Sequence, residues 1–537
     1  MPALELSPLT WLAAALPIVL ILVLMVRLRW GGAKAGPAGA LIAALGAVFF
    51  FGADAAVLGV AAWKGVILSV YVLYIIWPAL LLYHVVEGAG AIRSIGVGVA
   101  ALTEDHILQL LILGFAFSSF LQGVAGFGVP VAVVAPLLIG LGFPPVQATA
   151  VPLVGHAWAV TMGDLASSFQ ALLAVTELPA RALGLWTAIF LGIACLGTGF
   201  CVAHMHAGFR PIRRCLGAIV VLGLSMAMTQ LVLAYLEYWI LASFGAGMVG
   251  LAVSLLLARF SRGGHPTWIG LFPAWPSPWG RRTPHRDIPA EFKKGEMGFH
   301  LAFSAYYVLV LIVTAATLIP PLHLVLRSVE PVFRFPRTVT ALGWETEASH
   351  YALSIFGHPG AFLVYTAAVA WGIYRATGHW AKGEWRVVLR RTVAEGVPTS
   401  IGVLCMVVMA MVMSYSGMTV LLARGTIGVA GGVYPVLSPL VGLLGCFMTG
   451  SNVNSNVLFG ALQRDIAVLL GKNPAIIAAL QTTGGALGSM IAPAKVLVAC
   501  ATAGLQGKEG EVMALVLRYC LPMTLIIGLL GWVLLSL

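Results

Sequence analysis

Charged residues are scarce in this sequence. Asp, Glu, Lys and Arg make up 9% of the 537 residues, whereas apolar residues make up 60%. Soluble domains carry roughly 25% charged residues, so the composition excludes an ordinary water-soluble protein. Apolar runs of about 20 residues, the length that spans a bilayer, recur from one end of the chain to the other. The sequence therefore predicts a polytopic membrane protein.

Signatures of metal sites, disulfides and catalysis are also lacking. The seven cysteines form no CxxC pair and lie near no His cluster, so neither a disulfide framework nor a zinc site is expected. The sequence has no Walker loop, no complete dinucleotide fingerprint and no nucleophile elbow. We expect no metal, no cofactor and no enzymatic activity. A membrane-embedded enzyme or accessory subunit is the less favoured alternative, and a passive channel is less favoured still.

The net charge of +11 would fit a nucleic-acid-binding protein, but its distribution does not. Lys and Arg lie in short segments between apolar runs rather than in one stripe beside stacking aromatics, so no nucleic-acid partner is expected. They concentrate after residues 26, 203 and 375 and within 259–298. The positive-inside rule places these segments in the cytoplasm and the N-terminus outside. Segment 323–350 is the exception, because Arg327, Arg334 and Arg337 would then lie outside.

Ten uninterrupted apolar segments are predicted to cross the membrane: 9–26, 36–52, 66–86, 183–203, 215–236, 239–258, 299–322, 359–375, 396–416 and 517–537. The first has no basic n-region and no cleavage signature, so we interpret it as a retained helix. The Pro-, Trp- and Arg-rich segment 259–298 is predicted to be a cytoplasmic loop. It divides the chain into two transmembrane repeats, 1–258 and 299–537.

Two further tracts, 107–170 and 434–505, are apolar but interrupted by Gly, Ser, Thr and Asn. An unsatisfied backbone group costs several kcal/mol in hydrocarbon. These clusters therefore predict uncoiled segments shielded from lipid, at 123–128 and 451–456. Close helix packing through small residues is the alternative for any single Gly or Ser.

Each interruption is followed by a second polar break, at 155–164 in the first half and 481–493 in the second. Paired breaks at corresponding places are typical of inverted-repeat transporters. We expect an all-α polytopic membrane protein with two inverted repeats, each holding a re-entrant hairpin and a discontinuous transmembrane helix. The two uncoiled segments should meet halfway through the lipid.

Half-helix N-termini expose unpaired N–H groups and a positive partial charge, which suits an anionic substrate. Hydroxyls, amides and glycines of the interrupted tracts, with one lysine, form the predicted substrate-binding set: Ser118, Ser119, Gln122, Gly123, Gly126, Gly128, Thr449, Ser451, Asn452, Asn454, Ser455, Asn456, Thr482, Thr483 and Lys495. Lys495 could neutralise a carboxylate or extend towards headgroups.

Two ionisable residues in the first polar break are predicted to carry a coupling proton. His156 has an ordinary pKa near 6.5 and can change charge across a physiological proton gradient. Asp164 follows it within the same break. The alternatives are a neutral histidine hydrogen-bonded between helices, and an aspartate that caps the next helix at Ser167 and Ser168.

The motifs around these residues resemble the lactate permease family, which includes lactate and glycolate permeases. The resemblance rests on Phe120–Pro130, which ends in Gly-Phe-Gly-Val-Pro, on Thr449–Ser451 with Asn456–Gly460, on Gln481–Gly485 and on Val498–Ala501. It implies a secondary carrier in a bacterial inner membrane, with proton-coupled uptake of lactate or glycolate in typical members. The expected function is symport of a small 2-hydroxy-monocarboxylate by alternating access.

The chain departs from the usual pattern of that family at several positions. Gln122 and Asn452 stand where Glu and Asp are common, His156 and Ala157 replace Asn-Thr, and Lys495 lies beyond the usual lysine position, which Ser489 occupies. These neutral amides keep two alternatives open: a carrier of a sulfonate or another carboxylate, and coupling to Na⁺ instead of H⁺. The oligomeric state does not follow from the sequence.

Overall fold

The computed structural model describes residues 6–261 and 297–537, apart from the single residues 29, 101, 104, 127, 382 and 507. Within these ranges, eleven helices are long and apolar enough to cross a membrane. The predicted helical, polytopic membrane fold is confirmed. The predicted loop 259–298 lies largely outside the described residues, and the described part begins with a helix that continues to Ser261.

Polar side chains start several helices of the first half. The Ser7 hydroxyl accepts the Thr10 amide, a carboxylate oxygen of Asp54 accepts the Val57 amide at 2.8 Å, and Asp105 caps the helix that follows it. These caps satisfy amides that have no partner within a helix. The first-half helices are α1 (Pro8–Val26), α2 (Gly32–Phe51), α3 (Ala55–Gly88), α4 (Ala91–Ala100), α5 (His106–Val124, with a π-helical stretch at Ile112–Phe117), α6 (Val129–Gly140), α7 (Pro145–Gly155), α8 (Ser167–Thr176), α9 (Ala180–Ala207), α10 (Phe209–Tyr235) and α11 (Trp239–Ser261).

Proline starts several helices of the second half, where its missing amide hydrogen costs nothing. Pro359, Pro474 and Pro493 occupy first helical positions. The second-half helices are α12 (Phe299–Ala302), α13 (Ser304–Leu318), α14 (Pro320–Leu326), α15 (Pro359–Ala376), α16 (Glu384–Tyr415), α17 (Met418–Ala430), α18 (Tyr434–Thr449), α19 (Asn452–Leu469), α20 (Pro474–Gly488), α21 (Pro493–Thr502) and α22 (Glu509–Ser536).

The two halves share an order of elements. A long helix, α3 or α16, is followed by a shorter helix, α4 or α17. Next come a helical hairpin, α5–α6 or α18–α19, and a broken helix, α7–α8 or α20–α21. This order agrees with the paired interruptions in the sequence, while the inverted relation of the halves stays a prediction.

Two regions differ from the sequence-based expectation. The predicted span 299–322 is bent by 93° between Ser304–Ala316 and Pro320–Leu326, because proline cannot donate to the preceding turn. Four short strands, absent from the all-α prediction, lie between α14 and α15. They are β1 (Val332–Phe335), β2 (Thr338–Val339), β3 (Glu345–Thr346) and β4 (Ser349–Ala352), with β1 antiparallel to β4 and β2 antiparallel to β3.

Glycines let each hairpin touch the neighbouring broken helix at backbone distance. A β-carbon on Gly155 of α7 would overlap the Gly114 carbonyl of α5. A β-carbon on Gly484 of α20 would likewise overlap the Pro439 carbonyl of α18. Such contacts are typical of membrane helices that pack through small residues. A second packed group contains other long helices, in which α3 lies against α15 and α16, and α2 lies against α16.

Candidate functional site

Both hairpins and both broken helices are interrupted within the polar clusters of the sequence. The interruptions lie at 125–128 and 156–166 in the first half and at 450–451 and 489–492 in the second. Two details correct the expected uncoiled segments at 123–128 and 451–456. Gly123 and Val124 still belong to the last turn of α5, and most of the second segment is helical. Asn452 already begins α19, and Ser451 is its N-cap in extended backbone. The Asn cluster therefore lies in the first turns of a half-helix.

Thr161, in the first broken helix, joins the two halves. Its hydroxyl lies 3.1 Å from both the carbonyl oxygen and the hydroxyl oxygen of Thr482 in α20. Asn452 Nδ2 donates to the same Thr161 hydroxyl at 3.0 Å. All three side chains are buried. The two halves therefore meet through a buried polar contact of the first broken helix, while a meeting of the segments 123–128 and 451–456 stays a prediction.

Asn456 makes a second contact between the halves, one turn further along α19. Its Nδ2 donates to the Ser168 carbonyl in α8 at 2.8 Å and to the Thr482 hydroxyl at 2.9 Å. Asn452 and Asn456 are four residues apart and share one helix face. This face of α19 is joined to the first broken helix within its interruption, at Thr161, and just after it, at Ser168.

Main-chain carbonyls fix the orientation of three amides, because a carbonyl can only accept a hydrogen bond. Asn456 Nδ2 faces the Ser168 carbonyl, and Gln481 Nε2 faces the Ser455 carbonyl at 3.3 Å. Asn452 Nδ2 lies 3.5 Å from the Thr482 carbonyl. The side-chain oxygens of these amides are buried and have no hydrogen-bond partner in the described part of the chain, as is also true of Gln122 Oε1. The buried region therefore offers hydrogen-bond acceptors.

Lys495 supplies a buried cation at the second broken helix. It lies in the first turn of α21 and is 7% exposed. Its ammonium interacts electrostatically with the Asp164 carboxylate and with His156. Because Lys495 and Asp164 belong to different halves, the two broken helices bring opposite charges into one region. A buried charge without such a partner would cost several kcal/mol.

The backbone around Asp164 is left-handed over three residues. Asp164, Leu165 and Ala166 have φ angles of 48°, 54° and 65°, which non-glycine residues rarely adopt and which cost roughly 1–2 kcal/mol each. The Asp164 carboxylate accepts a hydrogen bond from the Ser167 hydroxyl at 3.2 Å. The alternative, that Asp164 caps the next helix, is wrong, because Ala166 is the N-cap of α8 and no side chain accepts its first amides.

His156 is the C-cap of α7 and is fully buried. Its Nδ1 lies against the Pro152 carbonyl, so this nitrogen carries the proton in the neutral ring. Its Nε2 has no hydrogen-bond partner among the described residues. The ring is therefore held through one nitrogen, while the other is a buried acceptor without a partner among the described residues.

Glycines and Gln122 of the first hairpin lie beside Asp164. A β-carbon on Gly126 would be 3.5 Å from Asp164 Cγ and 3.4 Å from Gln122 Nε2. Gly128 has a φ angle of 89° and starts α6 beside Val498 of α21. These three predicted residues therefore lie at the junction of the first hairpin with the two broken helices.

Other residues of the predicted binding set make contacts within or between helices instead. Ser118 donates to its own helix at Gly114, and Thr483 does the same at Ala479. A β-carbon on Gly123 would lie 2.5 Å from Phe244 Cα, so this glycine serves packing. These contacts favour the alternative of close packing for these three positions.

Four further predicted residues contact neighbouring helices or turns. Ser119 accepts from Trp158 Nε1 at 3.0 Å, Ser455 donates to the Gly442 carbonyl at 2.9 Å, and Thr449 donates to the Ser451 carbonyl at 2.9 Å. Asn454 faces α2 instead of the first broken helix, since its Nδ2 would lie 3.6 Å from a β-carbon on Gly32.

Thr161 and Gln481 were absent from the predicted set although both lie in the polar breaks that the sequence singles out. Thr161 could have been found from its position between His156 and Asp164. The role of the Ser168 carbonyl could not have been predicted, because every residue type has a main-chain acceptor. Among the described residues, no group of three or more His, Cys, Asp or Glu side chains could hold a metal ion.

Comparison with known proteins identifies the family of this chain. The profile of L-lactate permease matches residues 10–537. The chain belongs to the L-lactate permease family. It is 28% identical to glycolate permease GlcA of Escherichia coli over 96% of this chain and 94% of that protein. It is also 28% identical to an L-lactate permease of Bacillus subtilis, with the same coverage of each chain.

A solved structure, the YdaH transporter of Alcanivorax borkumensis, is also similar at 17% identity. It covers 86% of this chain and 84% of its own, with a TM-score of 0.46. The relatives are permeases rather than enzymes. This member of the family is therefore a multi-pass membrane permease and not an enzyme.

Proposed function

We propose that this permease is a secondary active symporter that carries a small 2-hydroxy-monocarboxylate, such as lactate or glycolate, together with a proton. The names of two relatives, a glycolate permease and an L-lactate permease, support this substrate class. Both compounds combine one carboxylate with one neighbouring hydroxyl. The bacterial plasma membrane is the proposed location.

The buried polar groups complement both parts of such a substrate. Lys495 provides a positive charge for the carboxylate, and the start of α19 adds backbone amides that its N-cap leaves without a side-chain partner. The acceptor oxygens of Asn452 and Asn456 are buried in the first two turns of α19, and a substrate hydroxyl can donate to either. This pairing of one cation with hydroxyl acceptors is the observation that carries the proposal.

Proton coupling is proposed for His156 and Asp164. Both are buried, and both interact electrostatically with Lys495. An arriving carboxylate competes with Asp164 for the lysine, which makes the aspartate a better proton acceptor. Substrate and proton would then enter together, and alternating access would expose the loaded site to the other side.

Uptake into proteoliposomes tests the proposal. Labelled L-lactate and glycolate should accumulate when a proton gradient, acid outside, is imposed, and a proton ionophore should abolish accumulation. Methanesulfonate and acetate, supplied in excess, should compete poorly because neither carries a 2-hydroxyl group. Accumulation driven by a Na⁺ gradient at equal pH would replace the proton by sodium, and preferential uptake of the sulfonate would overturn the substrate assignment.

A further inference from the structure

Lys64 of α3 is a buried cation outside the candidate site. The residue is 6% exposed, and its Nζ lies 2.5 Å from Glu177 Oε1. The same nitrogen donates to the Ser349 hydroxyl at 3.1 Å. It also lies 5.6 Å and 5.5 Å from the ring centroids of Phe335 and Tyr415, within the range of cation–π attraction.

These partners belong to separate elements. Glu177 is the C-cap of α8, whereas Ser349 and Phe335 belong to β4 and β1. A buried ammonium is stable only when paired and hydrogen-bonded, so removing any one partner weakens the attachment of the others. Glu177 also has a φ angle of 55°, a left-handed conformation that surrounding contacts must maintain.

A second contact joins the same two helices. Tyr71 donates its hydroxyl to Gln170 Oε1 at 2.8 Å. Tyr71 follows Lys64 by seven residues and Gln170 precedes Glu177 by seven, so α3 and α8 run antiparallel with two polar contacts about two turns apart. The Tyr71 ring also contacts Tyr351 of β4 edge-on, with centroids 5.5 Å apart. The strands therefore cover the line where α3 meets α8.

The strands are fixed to the group of helices that contains α2, α3 and α16. The Ala341 amide donates to the Gly52 carbonyl at 2.8 Å, and Trp344 Nε1 donates to the Ser414 carbonyl at 3.2 Å. Both acceptors lie at or beside the ends of long helices of that group. The strands and these helices therefore form one side of the contact, and α8 forms the other.

The opposite face of α8 is bound to the candidate site. Asn456 Nδ2 bonds the Ser168 carbonyl, and Arg464 Nη1 bonds the Thr176 carbonyl at 3.2 Å. The two donors are eight residues apart on α19 and the two acceptors are eight apart on α8, so these helices run parallel and are joined near both ends of α8. The position of α8 thus fixes one wall of the site.

We propose that Lys64 and Glu177 form a latch, with Ser349, that holds α8 and one wall of the candidate site against the strands, and that this latch opens in every transport cycle. The inference rests on the proposed function, since it requires a substrate that leaves past α8. Lys64 and Glu177 act as positioning residues and do not contact the substrate. The contacts of α8 with α19 persist while those with α3 and β4 break.

Reversible cross-linking tests whether the latch must open. In a cysteine-free background that retains uptake, Ser349→Cys and Glu177→Cys are combined and joined by a short thiol-specific cross-linker. Uptake of labelled lactate should fall at least tenfold and recover after reduction. The matched control is Val332→Cys with Ala352→Cys, which are paired across β1 and β4 and both exposed. That cross-link leaves uptake unchanged. Full uptake in the cross-linked Ser349–Glu177 variant overturns the latch.

Hydrogen–deuterium exchange tests the latch without any substrate. Glu177→Gln keeps the shape of the side chain but removes its charge, so amides of 168–177 and 345–352 should exchange several-fold faster. Glu330→Gln is the control, because it removes an exposed ion pair with Arg327 that lies outside the latch. Equal exchange in the two variants overturns the inference. Faster exchange in a chain that takes up none of the tested anions would retain the latch and refute the proposed function.

Discussion

The hydroxyl oxygens of Thr161 and Thr482 lie 3.1 Å apart although the residues are separated by 321 positions. Each belongs to the broken helix of its own half, and Asn452 donates to the first of them. The three residues form a buried connection between the halves.

Thr161→Val keeps the side-chain shape but removes the hydroxyl. Asn452 Nδ2 and the Thr482 hydroxyl then lose a partner, and an unsatisfied buried polar group costs about 1–3 kcal/mol. We expect uptake of labelled lactate to fall at least tenfold, with Thr161→Ser close to the unmodified protein. Thr483→Val is the matched control, because that hydroxyl bonds only its own helix. Equal losses for Thr161→Val and Thr483→Val would contradict the assigned role.

Gly485→Ala should displace Asn452. A β-carbon on Gly485 would overlap Asn452 Oδ1, and buried backbone in α20 leaves no room for adjustment. We expect at least a tenfold loss of uptake with helical content unchanged by circular dichroism. Gly59→Ala in α3 has open space around it and should leave uptake intact. Normal transport by Gly485→Ala would show that the orientation of Asn452 is immaterial.

Lys495→Met should weaken substrate binding more than the maximal rate. A charge-assisted hydrogen bond contributes about 1.5–3 kcal/mol, and roughly 1.4 kcal/mol corresponds to a factor of ten in affinity. We therefore expect the KM for lactate to rise at least tenfold in initial-rate uptake. Lys508→Met, at an exposed position, serves as the comparison. An unchanged KM in Lys495→Met would exclude direct neutralisation of the carboxylate.

His156→Asn should flatten the pH dependence of accumulation while leaving lactate exchange at equilibrium nearly unchanged. Asparagine can hydrogen-bond but cannot take up a proton, so only the coupling step is removed. The measurement is accumulation in vesicles between pH 5.5 and 8 at a fixed proton gradient, with the exposed His300→Asn as control. If Asp164→Asn flattens the profile and His156→Asn does not, the carboxylate alone carries the proton.

His358 should make the fold less stable in acid. It lies before α15, accepts the Gly360 amide through Nδ1 and stacks on Tyr74, and burial lowers its pKa from 6.5 to about 3. Below pH 6.5 the unfolded chain binds a proton that the folded chain does not, so stability falls by up to about 1.4 kcal/mol per pH unit as pH decreases towards 3. At pH 7.5 His358 is neutral in both the folded and the unfolded state, so it no longer lowers the stability.

Melting temperatures in detergent at pH 7.5 and 5.0 check this expectation. His358→Asn retains a cap acceptor but cannot titrate, so the difference between the two melting temperatures should shrink. His350→Asn, at an exposed position of β4, should leave the difference as it is. An equal pH response in His358→Asn would assign the acid sensitivity to other groups.

The sequence predicted the order of elements and the four interruptions because glycine, proline and clustered amides disrupt hydrophobic helices wherever they occur. It placed Asn452 and Asn456 at the binding region, but their partners in the first half are Thr161 and Ser168 and not the predicted segment 123–128. Which asparagines face the site was not predictable: Asn454 lies in the same cluster, yet it faces α2 because of its position on the helix. The strands at 332–352 lack a recognisable sequence pattern, since each spans four residues or fewer.

The sequence could not predict which residues of an interrupted helix face the same side. An uninterrupted helix would have put His156 and Asp164 on one face, about 80° apart. Instead, a 3₁₀ turn at Ala157–Ala159 lies between them, and a left-handed segment begins at Asp164. Both residues interact electrostatically with Lys495, which belongs to the other half of the chain. Tertiary contacts of this kind have no local signature in residue type.

The left-handed segment Asp164–Ala166 has a consequence for where the chain can deform. Residues in this conformation release roughly 1–2 kcal/mol each when they return to the right-handed region. The free-energy cost of rearranging this loop is therefore partly offset by the release of backbone strain. An unstrained linker of equal length would not provide this compensation. The backbone beside Asp164 is therefore a strained hinge. Ala166→Gly would remove part of that strain, because glycine adopts positive φ angles without a steric penalty.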